Sequence, residues 1–238
     1  MKSGHTMTSL PWNLSDAEVY FLYWFIQGSI MNPETRRRLR DAWGFCERHT
    51  CGYVAVEAAY RNGWPHGAAL LYEDLMERAV RAFSLVGAWR LPRLRWRLCE
   101  RGPCLMCELG LGPATPTVYA PAETVARGRR LQPLQAFANS LRTLWEPYVC
   151  GPCTGRMSAP RCRRHLRADW GPIDLVTQRR IVTHIAEHVR SYARSFRFEC
   201  RGTETDADRA GFIGAVGWCS GWRTWLTLIE GKLDDSDI

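Results

Sequence analysis

The chain has 238 residues, 46% of them apolar, and a formal net charge of +8. That length suits one large domain or two small ones, and that apolar share excludes an intrinsically disordered chain. The basic surplus is nearly all arginine, the side chain that grips phosphate and carboxylate with two prongs; a bias in base composition gives the same count, so nucleic acid is weighed but not favoured as a partner.

The first twenty residues show neither a basic-then-apolar run nor a small-residue cleavage site, so no secretory leader is expected. The aromatic run Val19–Ile26 and the apolar stretch Ala210–Trp222 are both too short to cross a bilayer. The expectation is a soluble cytoplasmic protein, off the membrane, with its ten cysteines reduced.

Helix signals dominate. Ser15 predicts a helix N-terminus, and Glu18 three residues on completes a capping box. Asn32 predicts the next, with Pro33 at the first helical position and Glu34 in the first turn. In His66–Gly87, Leu71, Leu75, Ala79, Ala82, Phe83 and Val86 fall on one helical face. Val182, Ile185, Val189, Tyr192 and Phe196 do the same in Pro172–Phe196. A last long helix is expected near Asp206–Glu230, where Gly211, Gly214, Gly217 and Gly221 lower helix propensity but permit close packing. No stretch alternates as a strand does, so the expected fold is mainly α.

Residues 111–130, rich in Gly, Pro, Ala and Thr, are expected as a linker between an N-terminal half, 1–110, and a C-terminal half, 131–238. The halves share motifs. "CERH" (Cys46, His49) and "CRRH" (Cys162, His165) each precede a helix that ends in a similar tripeptide, Arg81–Phe83 or Arg194–Phe196. Each half also holds a Cys-x-x-Cys, Cys104/Cys107 and Cys150/Cys153. The halves are expected to form a pseudo-repeat with the order of its motifs exchanged, CxxH preceding CxxC in the first half and following it in the second.

Zinc prefers four tetrahedral ligands drawn from thiolate sulfur and imidazole nitrogen, and a two-residue gap lets both members of a pair reach one ion from a tight turn. The chain supplies four such pairs, enough for two Cys₃His sites: Cys46/His49, Cys104/Cys107, Cys150/Cys153 and Cys162/His165. Local pairing joins Cys46, His49, Cys104 and Cys107 around one zinc and Cys150, Cys153, Cys162 and His165 around the other. A crossed arrangement would join Cys104/Cys107 to Cys162/His165. The local one is expected, because closing a short loop costs less entropy. Each helical half would then be clamped by its own zinc site.

"NPETRRRLRDAWGFCERH", "CLMC" and "RCRRHL" with its downstream helix resemble an uncharacterised bacterial family of Cys-rich helical proteins built from repeated CxxC…GxCxxH units. Gly44, Cys46 and His49 match the G-x-C-x-x-H element directly. The first unit departs from the pattern, since "LPWNLS" stands where a CxxC would precede Asp16. The resemblance implies metal binding and a helical fold, and no activity.

Other chemistries compete. "HIAEH" fits H-x-x-E-H, which would place His184 and His188 on one metal with Glu187 as general base, completed by Glu199 or Glu204; a solvated helix face is the plainer reading. Cys99, Cys104 and Cys107 have C-x₄-C-x₂-C spacing, which also serves iron–sulfur clusters. "CGPC" at Cys150–Cys153 is a thioredoxin-type tetrapeptide without the strand and helix such a redox couple needs. Cys51, Cys200 and Cys219 are expected as small core residues, and Arg36 and Arg40 as i,i+4 partners of acidic neighbours.

The reading that emerges is a zinc-binding helical protein with two structural sites, serving as a binding, adaptor or accessory protein. A metal-dependent enzyme, an iron–sulfur protein and an arginine-rich nucleic-acid binder are the alternatives. A protein partner or a small-molecule substrate would be its counterpart.

Overall fold

A computed structural model describes residues 13–84, 90–116, 119–156, 160–169 and 173–231. Among them every regular element is helical. In chain order these are α1 (Asp16–Phe25), α2 (Pro33–Asp41), α3 (Glu47–Tyr60), α4 (His66–Phe83), α5 (Arg90–Leu98), α6 (Leu105–Glu108), α7 (Ala122–Gly128), α8 (Gln132–Asn139), α9 (Arg142–Trp145), α10 (Arg163–Ala168), α11 (Leu175–Arg194), α12 (Asp206–Ser220) and α13 (Arg223–Glu230). No helix among them is long and apolar enough to cross a membrane.

Local chemistry sets the helix starts. The Ser15 hydroxyl accepts from the Glu18 N–H while the Glu18 carboxylate takes the Ser15 N–H at 2.7 Å, the capping box expected for α1. Asn32 caps α2 through the N–H groups of Glu34 and Thr35. Thr205 and Asp208 form a second capping box on α12.

The core is one contiguous set of buried side chains running from Leu14 to Ile229, with α11 packed against α4 and α12. Leu71, Leu75, Ala79, Ala82 and Phe83 face it from α4, and Val182, Ile185, Val189 and Tyr192 from α11. Phe196 is half-buried past the end of α11, and Val86 lies outside the described residues. The 111–130 segment contains α7, whose Val125 and Gly128 are buried where it packs on α1 and α3.

The expected single helix over Asp206–Glu230 is two. α12 stops at Gly221, whose φ of +104° leaves the helical region, and α13 restarts at Arg223. The close-packing expectation holds for α12: a Cβ at Gly211 would lie 2.4 Å from His188, and one at Gly217 would lie 2.3 Å from the Trp222 ring. The arginine pairing also differs. Arg37 makes the local pairs, to Glu34 and Asp41, while Arg36 reaches across to Asp74 on α4 with its Nε at 3.1 Å. Helix spacing itself explains this: Glu34 and Asp41 stand at i−3 and i+4 of Arg37, whereas Asn32 and Arg40 stand at i±4 of Arg36, which has no acid to meet on its own helix.

Candidate metal centres

The first centre grows from a turn that ends α2. Trp43 (φ +59°) and Gly44 (φ +92°) both adopt left-handed backbone, reversing the chain so that Cys46 arrives as the N-cap of α3. Trp43 is fully buried, and its indole N–H donates to the Cys99 carbonyl at 3.1 Å, which ties this turn to the segment leading into the second pair. His49 follows in the first turn of α3. Cys104 is the N-cap of the short α6, and Cys107 lies within it.

The four ligand atoms converge. His49 Nδ1 lies 3.2 Å from Cys46 Sγ and 3.4 Å from both Cys104 Sγ and Cys107 Sγ, and Cys46 Sγ lies 3.8 Å from Cys107 Sγ. The second centre repeats the plan. Cys162 caps α10 with backbone angles (φ −75°, ψ 168°) close to those of Cys46 (φ −62°, ψ 166°), and His165 falls in the first turn. Cys150 and Cys153 come from the turn after Tyr148, held by Gly151 N–H donating to the Pro160 carbonyl at 2.9 Å. His165 Nδ1 lies 3.3 Å from Cys150, 3.5 Å from Cys153 and 3.3 Å from Cys162, and Cys153 and Cys162 are 3.8 Å apart. Within each quartet all ligand atoms are within 4.8 Å of one another, and either quartet could hold a metal ion. The grouping is the local one, not the crossed one.

These spacings suit a tetrahedral ion. Zn–S bonds of roughly 2.3 Å at tetrahedral angles put sulfurs about 3.8 Å apart, which both centres match. In the first centre a hydrogen bond with Cys46 holds Cys104 down to about 3, and the same contact pushes Cys46 up. In the second a hydrogen bond with Cys150 holds Cys153 down to about 2, while Cys150 is pushed up to about 11 and Cys162 well above the usual thiol range. Three thiols so close cannot all ionise by themselves; a divalent cation removes that conflict.

Outer contacts orient the candidate ligands. Glu18 Oε1 lies 2.8 Å from His49 Nε2, and the same carboxylate pairs with Arg48. Burial works to raise Glu18, but hydrogen bonds from Arg48, the Ser15 N–H and His49 hold it at about 2. The Trp222 N–H donates to Cys153 Sγ at 3.4 Å. Among the described residues no carboxylate stands to His165 as Glu18 does to His49; His165 instead borders a cleft of about 330 Å³ with Cys153, Arg164 and Trp222. Glu47, next to Cys46, pairs with Arg164, between Cys162 and His165, and also accepts the Thr224 N–H at 3.1 Å. Sequence reasoning missed Glu18 as a site residue, because its capping role already explained it and its contact with His49 is long-range.

The remaining candidates lie elsewhere. His184 and His188 stack edge to face on α11, but His188 Nδ1 is hydrogen-bonded at 2.7 Å to Asp208, a capping residue of α12. Glu187 is exposed, and Glu204 pairs with Arg209 at 3.0 Å, so among the described residues no third ligand gathers there. The Cys99 thiol donates to the Arg95 carbonyl at 3.3 Å and stands outside the first quartet. Cys51 and Cys219 are buried in the core, whereas Cys200 is only half-buried.

No family model matches the chain, and neither curated proteins nor solved structures provide a match. The two Cys₃His quartets are what the structure supports of the resemblance to a Cys-rich metal-binding family; the family itself is not shown.

Proposed function

We propose that the protein is a zinc-dependent scaffold: two structural Zn²⁺ ions, one per quartet, hold a helical binding or adaptor protein together. The observation that carries this reading is the closure of each quartet, with three thiols and one imidazole nitrogen mutually within 4.8 Å. Four protein ligands leave no open coordination position, which favours structure over catalysis. The ligand set favours zinc over an iron–sulfur cluster, whose two or more irons spread their ligands farther than a single ion does. The eight ligands would be Cys46, His49, Cys104 and Cys107 for one ion and Cys150, Cys153, Cys162 and His165 for the other. In this reading residues 1–110 and 131–238 are halves each stapled by one ion, and a reducing, cytoplasmic setting keeps the thiols available.

The test is elemental analysis of anaerobically purified protein, followed by melting with and without a strong chelator. Two zincs per chain, with loss of helicity on chelation, is the expected result. No metal and unchanged melting would sink the proposal, and iron with visible absorption would replace it.

A further inference from the structure

Beside the segments that lead into the first centre, the end of α2, the second half of α4 and α5 flank an open cleft of about 360 Å³, within the roughly 300–1,000 Å³ usual for ligand sites. Its walls are arginines: Arg40, Arg78, Arg81, Arg97 and Arg101, with Trp96 among them. Among the described residues that line it the one acid, Asp41, already pairs with Arg37 at 3.2 Å. Arg81 reaches Glu77 at 3.6 Å. Among the described residues Arg40, Arg78, Arg97 and Arg101 have no carboxylate within ion-pair distance.

Two of the arginines are nevertheless held in place. Arg78 donates to the carbonyls of Arg40 and Cys99, and its guanidinium lies 4.1 Å over the Trp43 ring. Arg97 donates to the Arg81 carbonyl at 3.1 Å. Neutral acceptors orient Arg78 and Arg97 without cancelling their charge, so this part of the cleft is preorganised for an anion. Burial, and then the charges of Arg101, Arg163 and Arg40, pull Arg78 down to about 10. Trp96 is 66% exposed, with the Arg101 guanidinium 5.2 Å over its ring. An exposed indole beside converging guanidiniums offers a stacking plane next to a phosphate clamp.

We propose that this cleft binds the phosphates of a nucleotide, free or within a single strand, with Trp96 stacking on the base. The site is independent of the scaffold reading, since none of its residues belongs to either quartet.

Calorimetry on the full, metal-loaded chain tests it with three probes: sodium tripolyphosphate, ATP and a short oligothymidine. Saturable binding is expected, weakened roughly tenfold or more in R40E/R101E, both exposed positions. The charge-matched control R179E/R180E, on the exposed side of α11, should lose little. W96A should weaken ATP and the oligonucleotide several-fold and spare tripolyphosphate. Tightest binding to the oligonucleotide with a steep salt slope identifies a strand; tightest binding to ATP identifies a free nucleotide. No saturable binding of any probe, equal losses in the two double variants, or indifference of all three probes to W96A would overturn the proposal.

Discussion

Glu18 and His49 stand 31 positions apart in sequence and 2.8 Å apart in space, carboxylate oxygen against Nε2. The pairing makes Nε2 the donor, so the Nδ1 lone pair is left facing three sulfurs. The same carboxylate caps α1, so one side chain joins a helix start to a ligand orientation.

From this, E18Q is expected to lower metal affinity at the first centre by roughly 10- to 100-fold and to spare the second. Competition against a chromophoric chelator reads both steps. Equal weakening of the two centres, or of neither, would contradict the assignment.

Ligand roles are separable by stoichiometry. C107S and C153S should each leave one zinc per chain, whereas C99S, whose thiol donates to the Arg95 carbonyl, should keep two. A drop to one zinc in C99S would bring back the iron–sulfur spacing as a ligand set.

Gly217 is expected to resist replacement. In G217A the new methyl would sit 2.3 Å from the Trp222 ring, and overpacking of this kind costs about 1–3 kcal/mol. Because the Trp222 N–H also holds Cys153, the variant should release the second ion at lower chelator concentration as well. Urea midpoints and metal release measure the two effects; a wild-type midpoint would show that the ring can move aside.

Glu57 should give stability a slope near neutrality. It is fully buried, accepts the N–H groups of Gly67 at 2.6 Å and Ala68 at 2.8 Å at the start of α4, and burial pushes it up to about 7. A folded pKa above the unfolded value means the folded state binds the proton more tightly. This contribution is therefore full below the ordinary carboxylate range and is lost as pH rises through about 7. E57Q removes the titration while weakening the cap at every pH, so the wild-type advantage in melting temperature should shrink between pH 6 and 8. A constant difference would remove Glu57 from that role.

What was legible in the sequence was mostly local. Ser15 with Glu18 and Asn32 with Pro33 announce helix starts because a cap is decided within four residues. The Cys-x-x-Cys and Cys-x-x-His pairs are legible for the same reason, since each occupies one turn. The break at Gly221 was less so: the apolar pattern continues through it, and only the backbone angle reveals the stop. Arg36 turned to Asp74 and Glu18 to His49 through contacts between helices; spacing along one helix shows that Arg36 lacks an acid at i±4 but cannot name its distant partner. The arginine cleft is assembled from α2, α4 and α5, so its charge is diluted in the sequence and concentrated only on folding.

The pairing of Glu47 with Arg164 has one more consequence. Each residue directly follows or sits between proposed ligands of a different ion, so the turn that one ion orders presents the partner for the other turn. Filling of the two centres is then expected to be cooperative: half-loaded chains should be scarce in a zinc titration followed by native mass spectrometry, and E47Q should make them accumulate.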